Sequence, residues 1–191
     1  MLRSRFFVLT AIAIWLVATA YAYSLMMRFD TRPGVAGNPL LRWPATAPVQ
    51  LAKRQRTLLI FLHPKCSCSR ASISQLQNLR KRFPDAFHTE LVLWQPPGRS
   101  PAWNQLYRTD SEDLSGTETI ADPGGRVAAL FDAHTSGYVL LYGAAGNLEY
   151  AGGLTPARGV NNEGPGILAL ERIMSGSTVG VAHQPVFGCG F

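Results

Sequence analysis

Between Thr57 and Leu79 an apolar run, Leu58-Leu59-Ile60-Phe61-Leu62, empties into His63-Pro64-Lys65-Cys66-Ser67-Cys68-Ser69 and then into a helical pattern. This order predicts a buried strand that delivers two thiols to the start of a helix. There, unpaired backbone N–H groups and the positive end of the helix dipole favour thiolate over thiol. The thiolate is the species that attacks disulfides and binds soft metals, so thiol or metal chemistry is the first expectation for function.

A disulfide between Cys66 and Cys68 closes a small ring that fits relaxed disulfide geometry poorly, and such a bond is passed on readily. The same two thiolates offer a site to a soft, low-coordination ion such as copper(I), with His63 or His183 as a third donor. Zinc is a weaker match, because four tetrahedral donors at standard spacing are not visible. Otherwise no cofactor is expected. Cys189 makes the cysteine set odd. It is either part of an inert tail or a resolving thiol that folds back through Pro185-Val186-Phe187 to reach Cys66 or Cys68. Arg158, set among Gly152, Gly153 and Gly159, is a candidate to hold an anion or to pin a loop.

The elements that must position these groups can be read from periodicity and turn residues. After the strand at 58–62, residues 70–83 keep Leu76, Leu79 and Phe83 on one helical face, and Pro84 ends the pattern. Phe87 to Trp94 places Leu91 and Leu93 opposite Val92 and Trp94, as in a strand covered on both faces. A short helix is expected at 102–108, a short strand at 119–121, and a helix at 126–132 after the turn Asp122-Pro123-Gly124-Gly125. Tyr138–Tyr142 and Leu148–Ala151 flank Gly143-Ala144-Ala145-Gly146-Asn147 as a β-hairpin, and 167–174 forms the closing helix. Two parallel crossovers followed by a hairpin make an α/β sandwich with a mixed sheet.

Ahead of this domain, Arg3 and Arg5 precede an uncharged, apolar stretch from Phe6 to Met27. Its length suits a single membrane crossing better than a signal-peptide core, although Ala18-Thr19-Ala20 and Ala20-Tyr21-Ala22 fit a cleavage pattern. The expected organisation is an anchor at 1–28, a Pro/Gly-rich tether at 29–50, a globular domain at 51–176 and a tail at 177–191. The net charge of +6 is concentrated at the front. Residues 1–56 hold eight Lys or Arg against one acidic residue, a net +7, while residues 57–191 hold ten against eleven, a net −1. The basic excess therefore suits anionic head groups, and the domain has no surplus with which to follow nucleic acid. Arg3, Arg5 and the terminal amine on one flank nearly balance Arg28 and Arg32 on the other; the short head and long trailing domain of an uncleaved anchor set the expectation of N-terminus inside and domain outside.

With thiols between the first long strand and its helix, this order resembles the thioredoxin-like superfamily, in particular its membrane-anchored periplasmic branch. More narrowly, the His63–Ser72 run, Asp122-Pro123-Gly124-Gly125-Arg126, Thr135–Tyr142, Gly152–Gly159 and Val186-Phe187-Gly188-Cys189 resemble bacterial proteins labelled RedB-like. The resemblance implies a thioredoxin-like α/β/α sandwich, and thiol–disulfide exchange with exported or membrane proteins from the inner membrane. Cys66 then occupies the attacking position, with Cys68 or Cys189 resolving. Two departures stand out. Ser69 occupies the place of the usual resolving thiol, and Thr135-Ser136-Gly137 takes the place of the cis-proline loop. They leave open a copper-handling role through Cys66, Cys68 and His63, and an inactive scaffold. The peroxiredoxin pattern is absent, since Pro64 lies only two residues before Cys66.

Overall fold

The structure, a computed structural model, describes residues 2–99, 103, 117–177 and 180–191. The short helix expected at 102–108 lies outside the described residues except for Trp103. The chain forms two compact units, residues 1–32 and 33–191. The first is α1 (Leu2–Thr31), whose segment Arg3–Thr31 is long and apolar enough to cross a membrane, with an 18-residue window of mean hydropathy 1.9. An N-terminal signal sequence meets the same criterion.

Among the described residues, the second unit is built on a six-stranded mixed sheet: β1 (Arg56–Leu62), β2 (Phe87–Gln95), β3 (Thr117–Pro123), β4 (Tyr138–Tyr142), β5 (Leu148–Gly152) and β6 (Ala182–His183), in the order β3-β2-β1-β4-β5-β6. β1, β2 and β3 run parallel, β4 is antiparallel to both β1 and β5, and β6 is parallel to β5. β1 sits in the middle because Leu58–Leu62 has no polar side chain to give to water, and all five residues are buried. One face of the sheet carries Leu58, Ile60, Leu62, Leu91, Leu93 and Leu141 against α2 (Ser67–Arg82) and α4 (Pro165–Met174). The other carries Leu59, Phe61, Val92, Leu140 and Tyr142 against α3 (Arg126–Leu130). The fold is a thioredoxin-like α/β sandwich.

Residues 33–50, expected as a tether, lie along this second face. The Gly34 N–H donates to the Val186 carbonyl at 2.8 Å, and the Tyr142 hydroxyl donates to Leu40 at 2.8 Å. Val49 is buried in the same cluster. The hairpin loop at 143–147 falls where the glycines place it. The strand at 119–121 proves longer because its residues pair in register with β2 from Thr89 to Gln95.

Leu141 is fully buried between β1 and the helices. Leu141→Ala should therefore cost about 2–5 kcal/mol, since lost transfer energy and an unfilled cavity add. Urea unfolding of the variant against the unaltered chain measures it.

Candidate functional site

The site forms at the end of β1, where the chain turns from strand into α2. The helix begins three residues earlier than its apolar face suggests, and Cys66 is its N-cap residue, in extended backbone geometry (φ −95°, ψ 123°). An N-cap side chain faces the first free N–H groups of its helix. Here that residue is a cysteine whose sulfur makes no side-chain cap hydrogen bond, although the nearby Cys68 backbone N–H favours its charged form. The turn into the helix is fixed by Cys66 N–H to His63 carbonyl at 3.0 Å and Ser69 N–H to Cys66 carbonyl at 3.1 Å.

Ser69 and Ser136 brace this turn. Their hydroxyls are 2.7 Å apart, Ser69 donates to the His63 carbonyl at 3.0 Å, and the Ser136 hydroxyl accepts the His63 N–H at 2.8 Å. Both residues are fully buried. The pair ties the loop before β4 to the start of α2, and the peptide bonds of the described residues are all trans.

The C-terminal segment reaches the same place. After β6 the chain continues along β5, with Gln184 N–H to Ala151 carbonyl and Gly153 N–H to Pro185 carbonyl. It then pairs with the loop before β4. Ser136 N–H donates to the Cys189 carbonyl at 2.8 Å, Phe191 N–H donates to the His134 carbonyl at 3.2 Å, and Thr135 and Gly190 form an antiparallel bridge. Arg158 donates to the Gly188 carbonyl. Gly188 is required there, because a Cβ on it would lie 1.9 Å from the Ser136 carbonyl oxygen. The Phe191 ring stacks on Trp94, with centroids 6.3 Å apart, and Trp94 stacks on His63 at 5.0 Å.

This pairing sets Cys189 Sγ 2.9 Å from Cys66 Sγ, with all three cysteines as free thiols. Cys66 is 2% exposed and Cys68 is 5% exposed, while Cys189 forms the outer, exposed part of the site with its sulfur turned inward onto Cys66. Burial alone would raise the Cys66 thiol. Hydrogen bonds from the Cys189 thiol and N–H, and from the Cys68 N–H and thiol, outweigh it and bring Cys66 below the ordinary thiol value. Cys68 moves the other way. Burial and the adjacent Cys66 charge raise it, opposed by the Gly159 N–H and by Arg158. Cys189 is pushed up to about 11 by burial first, then by donating to Cys66 and by the charges of Cys66 and Cys68. Cys66 is thus the most acidic of the three thiols, and the donors that lower it come from the other two cysteines.

The structure brings Cys66, Cys68 and Cys189 together and leaves His63 and His183 out. His63 accepts the Lys65 N–H on Nδ1 at 3.0 Å and lays its ring face on Trp94, and His183 lies on β6. Among the described residues, no set of three donor atoms within 4.8 Å of one another includes a thiol. The aromatic stack of His63, Trp94 and Phe191 went unread in the sequence, where three residues so far apart give no shared signal.

Because thiolate is the reactive form, alkylation of Cys66 should rise with pH below the ordinary thiol range. Alkylation of Cys189 should rise only as pH approaches about 11. Iodoacetamide labelling of the full chain across pH, read site by site by mass spectrometry, should place the Cys66 curve below that of Cys189. Coincident curves would contradict the assignment.

Among solved structures, an uncharacterized conserved protein from Geobacillus kaustophilus matches with 16% identity and a TM-score of 0.59, over 84% of this chain and 91% of that one. A hypothetical protein from Sinorhizobium meliloti 1021 matches with 16% identity and a TM-score of 0.59, over 85% of this chain and 96% of that one. A secreted Mycobacterium tuberculosis disulfide oxidoreductase matches with 14% identity and a TM-score of 0.45, over 64% and 82%. No protein-family model matches the chain. No curated protein matches it.

Proposed function

We propose that this chain is a membrane-anchored thiol–disulfide exchange protein of the RedB-like kind. Cys66 is its attacking thiol and Cys189 its resolving thiol, and its partners are cysteines of exported or membrane proteins. α1 holds it in the inner membrane, with the globular unit on the extracytoplasmic side. The observation that carries the reading is the 2.9 Å approach of Cys189 Sγ to the one thiol whose acidity is raised.

The exchange proceeds in two displacements. The Cys66 thiolate attacks one sulfur of a partner disulfide, a new S–S bond forms, and the partner's other sulfur leaves as thiolate. Once Cys66 is in the mixed disulfide its charge is gone, and with it that part of the upward push on Cys189. Cys189 then loses its proton to solvent, and its thiolate attacks the Cys66 sulfur. The partner's second sulfur leaves as thiolate. The partner gains two electrons and the protein ends with a Cys66–Cys189 disulfide; the reverse sequence oxidises a dithiol partner. Because Cys66 is buried beneath the tail, the segment around Cys189 has to lift for the first displacement.

Removing the resolving thiol should freeze the intermediate. Cys189→Ser, expressed in a bacterial host and quenched with acid, should accumulate mixed disulfides that vanish on reduction and are absent from the Cys66→Ser, Cys189→Ser double variant. If Cys189→Ser carries no partner, the resolving role is lost.

A further inference from the structure

We infer that His88, Glu90 and Glu118 form a binding site for a divalent first-row metal ion of the zinc type, at the far end of the sheet from the thiols. His88 and Glu90 are two apart on β2 and so share a face, and Glu118 on β3 stands in register with Glu90. One ligand atom from each lies within 4.8 Å of the other two. They face a recess of about 540 Å³ between the sheet and residues 48–55, lined also by Lys53 and Gln55.

The second observation is the state of Glu90. The residue is 2% exposed; one carboxylate oxygen meets His88 Nε2 at 3.1 Å, and the other, Oε2, is buried with no hydrogen-bond partner among the described residues. A buried carboxylate with an unmatched oxygen is costly, and a second carboxylate directly across the strand pair adds repulsion. A cation shared by the two carboxylates and the imidazole removes both costs. One imidazole nitrogen with two carboxylate oxygens suits zinc or manganese, whereas a soft ion such as copper(I) prefers the sulfurs. The bound ion clamps β3, the edge strand, onto β2, so the site acts on the stability of the sheet and not on thiol exchange.

The test separates this site from the thiols. The full chain in detergent micelles, with Cys66→Ser, Cys68→Ser and Cys189→Ser combined, is titrated with Zn²⁺ alone by calorimetry at neutral pH. One equivalent should bind. Affinity should fall by roughly tenfold or more when Glu90→Gln or Glu118→Gln is added, and the unfolding temperature should rise with Zn²⁺ only where both carboxylates are present. If the thiol-free chain binds no Zn²⁺, as when a proton alone occupies Glu90, or if neither glutamine variant weakens binding, the inference is overturned. Should the thiol-free chain not fold, Mn²⁺ binding to the unaltered chain is read by electron paramagnetic resonance. Glu118→Gln changes only an exposed edge position and should weaken Mn²⁺ binding by the same roughly tenfold or more; an unchanged affinity overturns the inference equally.

Discussion

Cys66→Ser is expected to abolish exchange with a model disulfide, a loss of at least about a thousandfold, because no other group at the site supplies the first displacement. The two remaining thiols are both raised first by burial, a cause that survives the substitution although the contribution of Cys66 to each is lost, so neither replaces Cys66 as the acidic thiol. Cys68→Ser should behave differently. The Cys68 backbone N–H that supports Cys66 survives the substitution, and only the side-chain hydrogen bond is altered. Activity should stay within about tenfold of the unaltered chain. Stopped-flow reduction of an aromatic disulfide by the full chain in micelles distinguishes the two variants. Equal losses would assign the attack to the pair as a unit. No loss in Cys66→Ser would support the inactive-scaffold reading.

Gly188→Ala carries the second large effect. The added methyl would lie 1.9 Å from the Ser136 carbonyl, a backbone atom that cannot turn aside. The tail can no longer pair with residues 134–136, and Cys189 leaves Cys66. Since the thiol and N–H of Cys189 are among the groups that lower Cys66, the Cys66 titration should move up toward the ordinary thiol range. Formation of the Cys66–Cys189 disulfide under mild oxidation should slow by roughly tenfold or more, because the two sulfurs now meet only by diffusion of a loose segment. Val186 of the same segment is buried in a core cluster and Phe191 packs against it, so urea unfolding should register some loss of stability as well. Thiolate absorbance across pH and quantitative thiol counting provide the two readings. An unshifted Cys66 titration would remove the tail from the account of its acidity.

The sandwich was legible because each element announces itself within a short window. Leu58–Leu62 is apolar without a break, residues 87–94 alternate two apolar faces, and glycines close the hairpin at 143–147. The thiols at the head of α2 were legible for the same reason. The exact start of that helix was not, since Ser67 and Ser69 look like turn residues, and they become helical only because Cys66 takes the cap and Ser69 bonds back to His63. The contact between Cys66 and Cys189 is one of two readings of the tail, and the sequence alone does not choose between them. It depends on three residues after β6 pairing with the loop before β4, a match between segments some fifty residues apart, set by a glycine that avoids a carbonyl and by an arginine from a third loop. Glu118 escaped notice in the same way: nothing local in Thr117-Glu118-Thr119 tells that it stands beside Glu90.

The backbone bonds that hold the last residues against the Thr135-Ser136 loop also determine which thiols can reach Cys66. A thiol on even a loose tether acts at an effective concentration in the millimolar range, and a tail that lifts to admit a partner stays tethered beside Cys66. Small thiols free in the surrounding medium therefore compete poorly for a captured partner, because the tail answers first. The lifetime of each covalent complex is then set by the chain's own last residues, and stays independent of how reducing the compartment is.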